Sequence, residues 1–202
     1  HLIEEFDNSL SFKEITEKEI YYLQKSINSI NEGIFQKTVH LICNANTVHI
    51  LGAGPNEMLG FHLSFRLRRF KIHTMHHNKG GIHLLEGLLN LEKGDIAVAY
   101  DFYRPSEDLK LFINIMKRNL IPIILITDSI TPLLMKECNY VLCAERGPHG
   151  TFHSPIVPLA ITNAILVAVA YKHKNEALET LDLLETYRQE YFYNTRSTQS
   201  ES

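Results

Sequence analysis

Apolar residues change their spacing along this chain in a regular way. Between residues 47 and 143, short runs of consecutive apolar residues alternate with longer stretches in which they recur every three or four positions. The runs predict strands at 47–51, 71–75, 95–100, 121–126 and 140–143. The stretches predict helices at 56–70, 79–90, 105–119 and about 131–137, one after each of the first four strands. In the first helix Leu59, Leu63, Leu67 and Phe70 lie on one face. Ile96-Ala97-Val98-Ala99-Tyr100 and Ile121-Pro122-Ile123-Ile124-Leu125-Ile126 are apolar almost throughout, the pattern of parallel strands covered on both faces. Pro122 fits only near the start of its strand, where it removes no ladder bond. Alternating strands and helices with right-handed crossovers predict an α/β fold of three layers, a doubly wound, flavodoxin-like five-stranded parallel sheet.

The flanks are helical. Thr16 and Glu19 form a candidate capping box. Behind it Ile20, Leu23, Ile27, Ile30 and Ile34 make a seam of barely two heptads that includes Gly33, so it is expected to dock on the main domain or on a second subunit. A second helix runs to Cys43 and is broken by Asn44-Ala45-Asn46. Beyond the fifth strand come the loop Gly147-Pro148-His149-Gly150 and an apolar helix from about 154 or 158 to 172, with Ser154-Pro155 as N-cap and first-turn pair. A last helix, about 176–193, carries Leu178, Leu181, Leu183 or Leu184, and Tyr187; from Thr195 the chain is polar and expected to be disordered. The resulting division is a helical linker segment 1–45, an α/β domain 46–174 and a C-terminal helix and tail 175–202.

A hydrophobic fraction of 45% supports a full core, and a net charge of −3 argues against nucleic-acid binding by these residues alone. The cluster Arg66-Leu67-Arg68-Arg69 reads as a solvated helix face. Cys43, Cys138 and Cys143, odd in number and in apolar surroundings, read as buried thiols of a reducing compartment. There is no signal-peptide pattern, and the apolar run 156–171 falls short of the roughly 20 residues of a spanning helix. These features predict a cytoplasmic protein without a membrane partner. The chain begins at His1, which leaves room for a segment upstream.

In an open parallel sheet the ligand lies beyond the carboxyl ends of the strands. That rule selects Gly52–Glu57 after the first strand, Asp101–Ser106 after the third and Thr127–Thr131 after the fourth, with Gly52, Gly54, Asn56, Glu57, Asp101, Tyr103, Arg104, Ser106, Thr127 and Ser129 as the expected contacts. His153, from the loop before the apolar helix, is a further candidate contact. Asp101 accepts hydrogen bonds and Arg104 is a fixed cationic fork. They either meet a ligand, pair with each other, or leave Asp101 to cap the next helix. Thr127-Asp128-Ser129 either bonds a ligand or helps start the helix after Thr131-Pro132. Gly52-Ala53-Gly54 begins like a dinucleotide fingerprint, but Glu57 stands at the third glycine position and no acid follows the second strand, so no NAD is expected. His73, His76, His77 and His83 match no zinc spacing and read as loop and surface histidines. His149 and His153 are four apart but separated by Gly150. No cofactor or metal is expected.

Ile50-Leu51-Gly52-Ala53-Gly54, Phe65-Arg66-Leu67-Arg68-Arg69, Ile126-Thr127-Asp128-Ser129 with Pro132-Leu133, and Phe152-His153-Ser154 together resemble the SIS (sugar isomerase) domain, and within it the C-terminal effector domain of RpiR-type bacterial transcription regulators. The resemblance spans about 16–171, and residues 16–43 look like the segment that joins such a domain to its DNA-binding part. It implies a five-stranded parallel domain that dimerises and binds phosphosugars through hydroxyl-bearing loops. Here Pro55-Asn56 replaces the serines of the first loop, and of the second only Ser106 keeps a hydroxyl. The resemblance therefore implies a sensor that takes a sugar or sugar-phosphate effector, works as a homodimer or dimer of dimers, and meets DNA only through a domain outside these residues. The alternatives are an aldose–ketose isomerase, with Glu57 at a helix start as its best base and Glu107 and His153 as weaker ones, and a scaffold that binds nothing. Sedimentation at micromolar concentration is expected to show a dimer, since the apolar helix and the 20–34 seam both need a partner; a monomer would contradict this.

Overall fold

The computed structural model describes residues 11–147 and 153–199. Its elements, in chain order, are α1 (Phe12–Ser29), α2 (Glu32–Cys43), β1 (Val48–Leu51), α3 (Glu57–Leu67), β2 (Thr74–His77), α4 (Ile82–Gly87), β3 (Ile96–Tyr100), α5 (Glu107–Arg118), β4 (Ile123–Thr127), α6 (Pro132–Glu137), β5 (Tyr140–Cys143), α7 (Ile156–Lys172) and α8 (Lys174–Gln199). The five strands form one all-parallel sheet in the order β2-β1-β3-β4-β5. This is the three-layer fold predicted from the spacing of apolar residues.

Alternation along the strands divides the core in two. Val48, Ile50, Val98, Tyr100, Ile124 and Ile126 point to one face, where they pack with residues of α2, α3 and α7. Leu51, Ala97, Ala99, Ile123 and Leu125 point to the other, under Leu84 of α4, Phe112 of α5 and Leu134 of α6. Every residue of β1, β3 and β4 is buried. With both faces covered, only the strand ends remain to offer polar groups to a ligand.

Several boundaries differ from those predicted. The chain after α3 first makes a one-turn 3-10 helix, Arg68–Phe70, and Lys71 takes a left-handed conformation (φ 57°), so β2 begins at Thr74 rather than at 71. That shift carries His76 and His77 into the sheet, and His77 is buried instead of lying on the surface. The first helix starts four residues before the predicted box. Ser11 and Glu14 make the reciprocal cap, while Thr16 lies inside the helix and bonds back to the Phe12 carbonyl. The seam does not run through: Ile30 ends α1 and Asn31 caps α2, with its side chain accepting from Ile34 N–H at 3.0 Å. α4 is shorter than expected, and the polar stretch from Thr195 is helical as far as Gln199 instead of disordered. Among the described residues no single helix is long and apolar enough to cross a membrane.

A buried polar chain crosses the α4 and α5 side of the sheet. Asp95, at the foot of β3, accepts from Glu92 N–H at 2.8 Å and lies 3.2 Å from His49 Nε2; His49 Nδ1 is 3.2 Å from His77 Nε2. The two imidazoles are stacked and almost parallel. One proton arrangement satisfies this chain with both histidines neutral: His49 donates to Asp95, and His77 donates to His49. Burial, with the neighbouring histidines, lowers the His77 pKa from 6.5 to about 4, and burial lowers that of His49 despite Asp95. The unfolded chain therefore takes up protons first as the pH drops. Stability is complete above pH 6.5 and is lost between pH 6.5 and about 4, by about 3 kcal/mol from His77 alone. Thermal unfolding from pH 7.5 to 4.5 is expected to show this loss, and His77→Phe to flatten it; an unchanged slope would show that the histidine chain is not its source.

Candidate functional site

The strand order reverses between β1 and β3, which makes their carboxyl ends the edges of a crevice. A cleft of about 460 Å³ lies there. Its first wall is the chain leaving β1, from Leu51 through Ala53, Gly54, Pro55 and Asn56. Gly54 takes a left-handed conformation (φ 55°) and opens a one-turn 3-10 helix with Pro55 in its first turn, which turns the chain sharply into α3. The Asn56 amide donates to the Tyr100 carbonyl at 3.2 Å and so fastens this loop to the end of β3. From the other side His76, on β2, bonds the Gly52 carbonyl through Nε2 at 3.0 Å.

The opposite wall is the segment from Tyr100 to Ser106. Asp101 does not pair with Arg104. It is 9% exposed, and its Oδ2 accepts from Ser106 N–H at 2.8 Å while the Phe102 N–H also bonds it. Ser106 in turn caps α5, its Oγ accepting from Leu109 N–H at 3.1 Å. Burial raises the Asp101 pKa even though these bonds pull the other way, and Asp128 adds to the rise. Tyr103 is held in a left-handed conformation (φ 73°) with its N–H on Asp128 Oδ1 at 2.7 Å. Arg104 lies over the Tyr103 ring at 5.3 Å, and among the described residues it forms no ion pair.

A third side comes from the chain after β5. The Arg146 guanidinium sits 4.3 Å above the Phe102 ring, 3.6 Å from Asp128 Oδ2, and donates to the carbonyls of Ser154 (3.2 Å) and His153 (3.4 Å). His153 Nδ1 is 3.3 Å from the Arg146 carbonyl. Arg146 and His153 both line the cleft. The residues on either side of Arg146 are gripped by α1. Glu145 N–H donates to Ser26 Oγ and its carboxylate takes Lys25 Nζ at 3.0 Å; Gly147 packs so closely on Tyr22 that a Cβ there would come within 2.7 Å of the hydroxyl.

Of the predicted residues, Gly54, Asn56, Asp101, Tyr103, Arg104, Ser106 and His153 line the cleft. Gly52, Glu57, Thr127 and Ser129 are not among its lining residues. Glu57 is exposed and accepts from the Asn78 amide at 2.8 Å; Thr127 is buried, with its Oγ accepting from Ser129 N–H. Thr131 caps α6. His149 lies outside the described residues. Arg146 and Asp108 line the cleft although neither is among the residues expected there, and Asp128, within the Thr127-Asp128-Ser129 stretch, meets Tyr103 N–H and Arg146. Arg146 stands three residues beyond β5, so the rule that selected the other loops also reaches it.

Comparison with known proteins bears on this geometry. The SIS domain family matches residues 41–170, well over half of the chain. The chain belongs to the SIS domain family. The fold of this SIS domain is also that of the sugar isomerase domain of the RpiR transcription factor from Sphaerobacter thermophilus, with a TM-score of 0.80 and 23% identity over 86% of this chain and 97% of that one. The Vibrio vulnificus NanR protein complexed with ManNAc-6P gives a TM-score of 0.75 and 16% identity over 88% of this chain and 70% of the other. A curated relative, the isomerizing glutamine–fructose-6-phosphate aminotransferase of Pyrobaculum aerophilum, is 26% identical over 153 residues, which are 71% of this chain and a quarter of that protein's length.

The hold of His76 on Gly52 gives a test of how the SIS domain shapes its first wall. A Cβ at Gly60, in α3, would stand 2.4 Å from His76 Nε2. Gly→Ala in a solvated helix interior stabilises by about 1 kcal/mol. Here Gly60→Ala is expected to do the reverse, destabilising by about 1–3 kcal/mol through overpacking, as read by chemical denaturation. A stabilised variant would mean that His76 moves aside freely.

Proposed function

We propose that this SIS domain is the effector-sensing and dimerising part of an RpiR-type transcription regulator, and that the cleft between β1 and β3 takes a small anionic carbohydrate metabolite. The observation that carries the reading is the position of Arg146. Its guanidinium is at the cleft, and both neighbours in the chain are bonded to or packed on α1. A ligand that draws on Arg146 changes its balance with Asp128 and with the 153–154 carbonyls, and the adjoining residues pass that change to α1. A helix so coupled is suited to report occupancy to a DNA-binding part joined ahead of it. The RpiR and NanR likenesses support the regulator side of this reading, and the ManNAc-6P bound by NanR supports a polar sugar as effector.

The second reading is an isomerase, favoured by the isomerizing aminotransferase relative. Proton transfer between adjacent sugar carbons needs a positioned base in contact with the substrate. Glu57, the best candidate from sequence, is not among the residues lining the cleft, and the Asp101 carboxylate is bonded to the backbone of its own loop. His153 lines the cleft but directs Nδ1 to the Arg146 carbonyl, which leaves only Nε2 for chemistry.

A thermal-shift screen of sugar phosphates, amino sugars and carboxylated sugars tests the sensor reading. A ligand at a hundred times its dissociation constant adds about 2.7 kcal/mol of stability. The expected result is a shift without turnover, abolished by Arg146→Gln. Growth of an isomer on incubation, lost in Glu57→Gln or His153→Gln, would replace the sensor with the enzyme.

A further inference from the structure

The cleft is electrically polarised, and the chain itself supplies an anion at one end. In an α/β sheet the start of the helix after a switch-point strand is where a ligand's negative group is ordinarily held, by free N–H groups and the helix dipole. At α5 part of that site is already taken. The buried Asp101 carboxylate takes the N–H of Ser106 and of Phe102, and the Ser106 hydroxyl takes that of Leu109. Glu107 and Asp108 add two more carboxylates in the first turn, with Asp108 receiving Gly81 N–H at 2.9 Å. The cations lie elsewhere: Arg104 without an ion pair among the described residues, and Arg146 on the Phe102 ring.

We infer that Asp101 is a built-in occupant of the β3–α5 anion pocket, and that it makes the cleft reject a phosphate ester and select a hydroxyl- or amine-rich sugar carrying a carboxylate. The inference rests on the cleft being the effector site and narrows the effector's chemistry. A dianionic phosphate placed on this loop meets a carboxylate where it needs donors, and because Asp101 is itself buried the repulsion is less screened than between two surface charges. Sugar hydroxyls or an ammonium group instead find an acceptor in Asp101. A planar carboxylate on the same ligand matches the fork of Arg104 or the remaining donors of Arg146, and carries less charge to be repelled.

A matched pair of probes tests this: D-glucuronate and D-glucose 6-phosphate, which share a ring and differ in the anion at the sixth carbon. Calorimetric titration of the full chain at pH 7.5 is expected to show that the wild type favours glucuronate. Asp101→Asn keeps an acceptor for Ser106 N–H but removes the charge, and should tighten glucose 6-phosphate roughly tenfold or more; Asp101→Ser should do the same. A wild type that prefers glucose 6-phosphate overturns the inference whether or not the variants fold. So do folded variants whose affinity for glucose 6-phosphate is unchanged. If neither probe binds the wild type but Asp101→Asn gains glucose 6-phosphate, the exclusion by Asp101 stands and the effector-site reading of the native cleft fails.

Discussion

Three neighbouring strands, β1, β3 and β4, have no residue left for water, and the rest of the molecule follows from that constraint. A strand buried on both faces needs helices above and below, which places α2, α3 and α7 on one side and α4, α5 and α6 on the other. The helices cover everything except the strand ends. Polar chemistry is then confined to the loops, and the reversal of strand order between β1 and β3 holds two of those loops apart. The cleft is a consequence of packing before it is a consequence of any particular ligand.

What the loops do with that cleft is set by where their charges are committed. Asp101 is bonded to its own loop and Asp128 holds both the Tyr103 N–H and Arg146, so these two acids serve the surrounding chain as much as any visitor. Arg104 and Arg146 differ in the same respect. Arg104 stacks on an exposed tyrosine, whereas Arg146 is tied to two carbonyls, an aspartate and a phenylalanine ring. Arg146 is thus a joint as well as a cation: it links β4, β5 and the start of α7, and its neighbours in sequence meet α1.

The strands of the sheet were legible because continuous apolar runs have few other homes, and β1, β3, β4 and β5 fall within two residues of the positions expected. β2 was misplaced because nothing in Phe70-Lys71-Ile72 announces that Lys71 turns left-handed and delays the strand. The capping box was displaced for a different reason: Ser11…Glu14 and Thr16…Glu19 carry the same local signal, and only packing chooses between them. The chain Asp95–His49–His77 could not be read at all, since it joins three strands whose register is a tertiary fact. At the cleft, the glycine turn and the Asp101–Ser106 loop were found by the strand-end rule. The choice between an Asp101–Arg104 pair and a cap needed coordinates, and Arg146 was passed over because it carries no motif.

In the proposed function a polar anionic sugar is held at the carboxyl ends of β1 and β3 by groups that include Arg146. Titration of isotope-labelled protein with D-glucuronate, followed through backbone amide and arginine Nε–H resonances, addresses it most directly. Shifts are expected at Gly54, Asn56, Tyr103, Arg104 and the Arg146 Nε–H, with secondary shifts in α1 near Lys25 and Ser26. Shifts confined to the amino-end surface around His40, Lys93 and Leu120, with Arg146 unmoved, would contradict it.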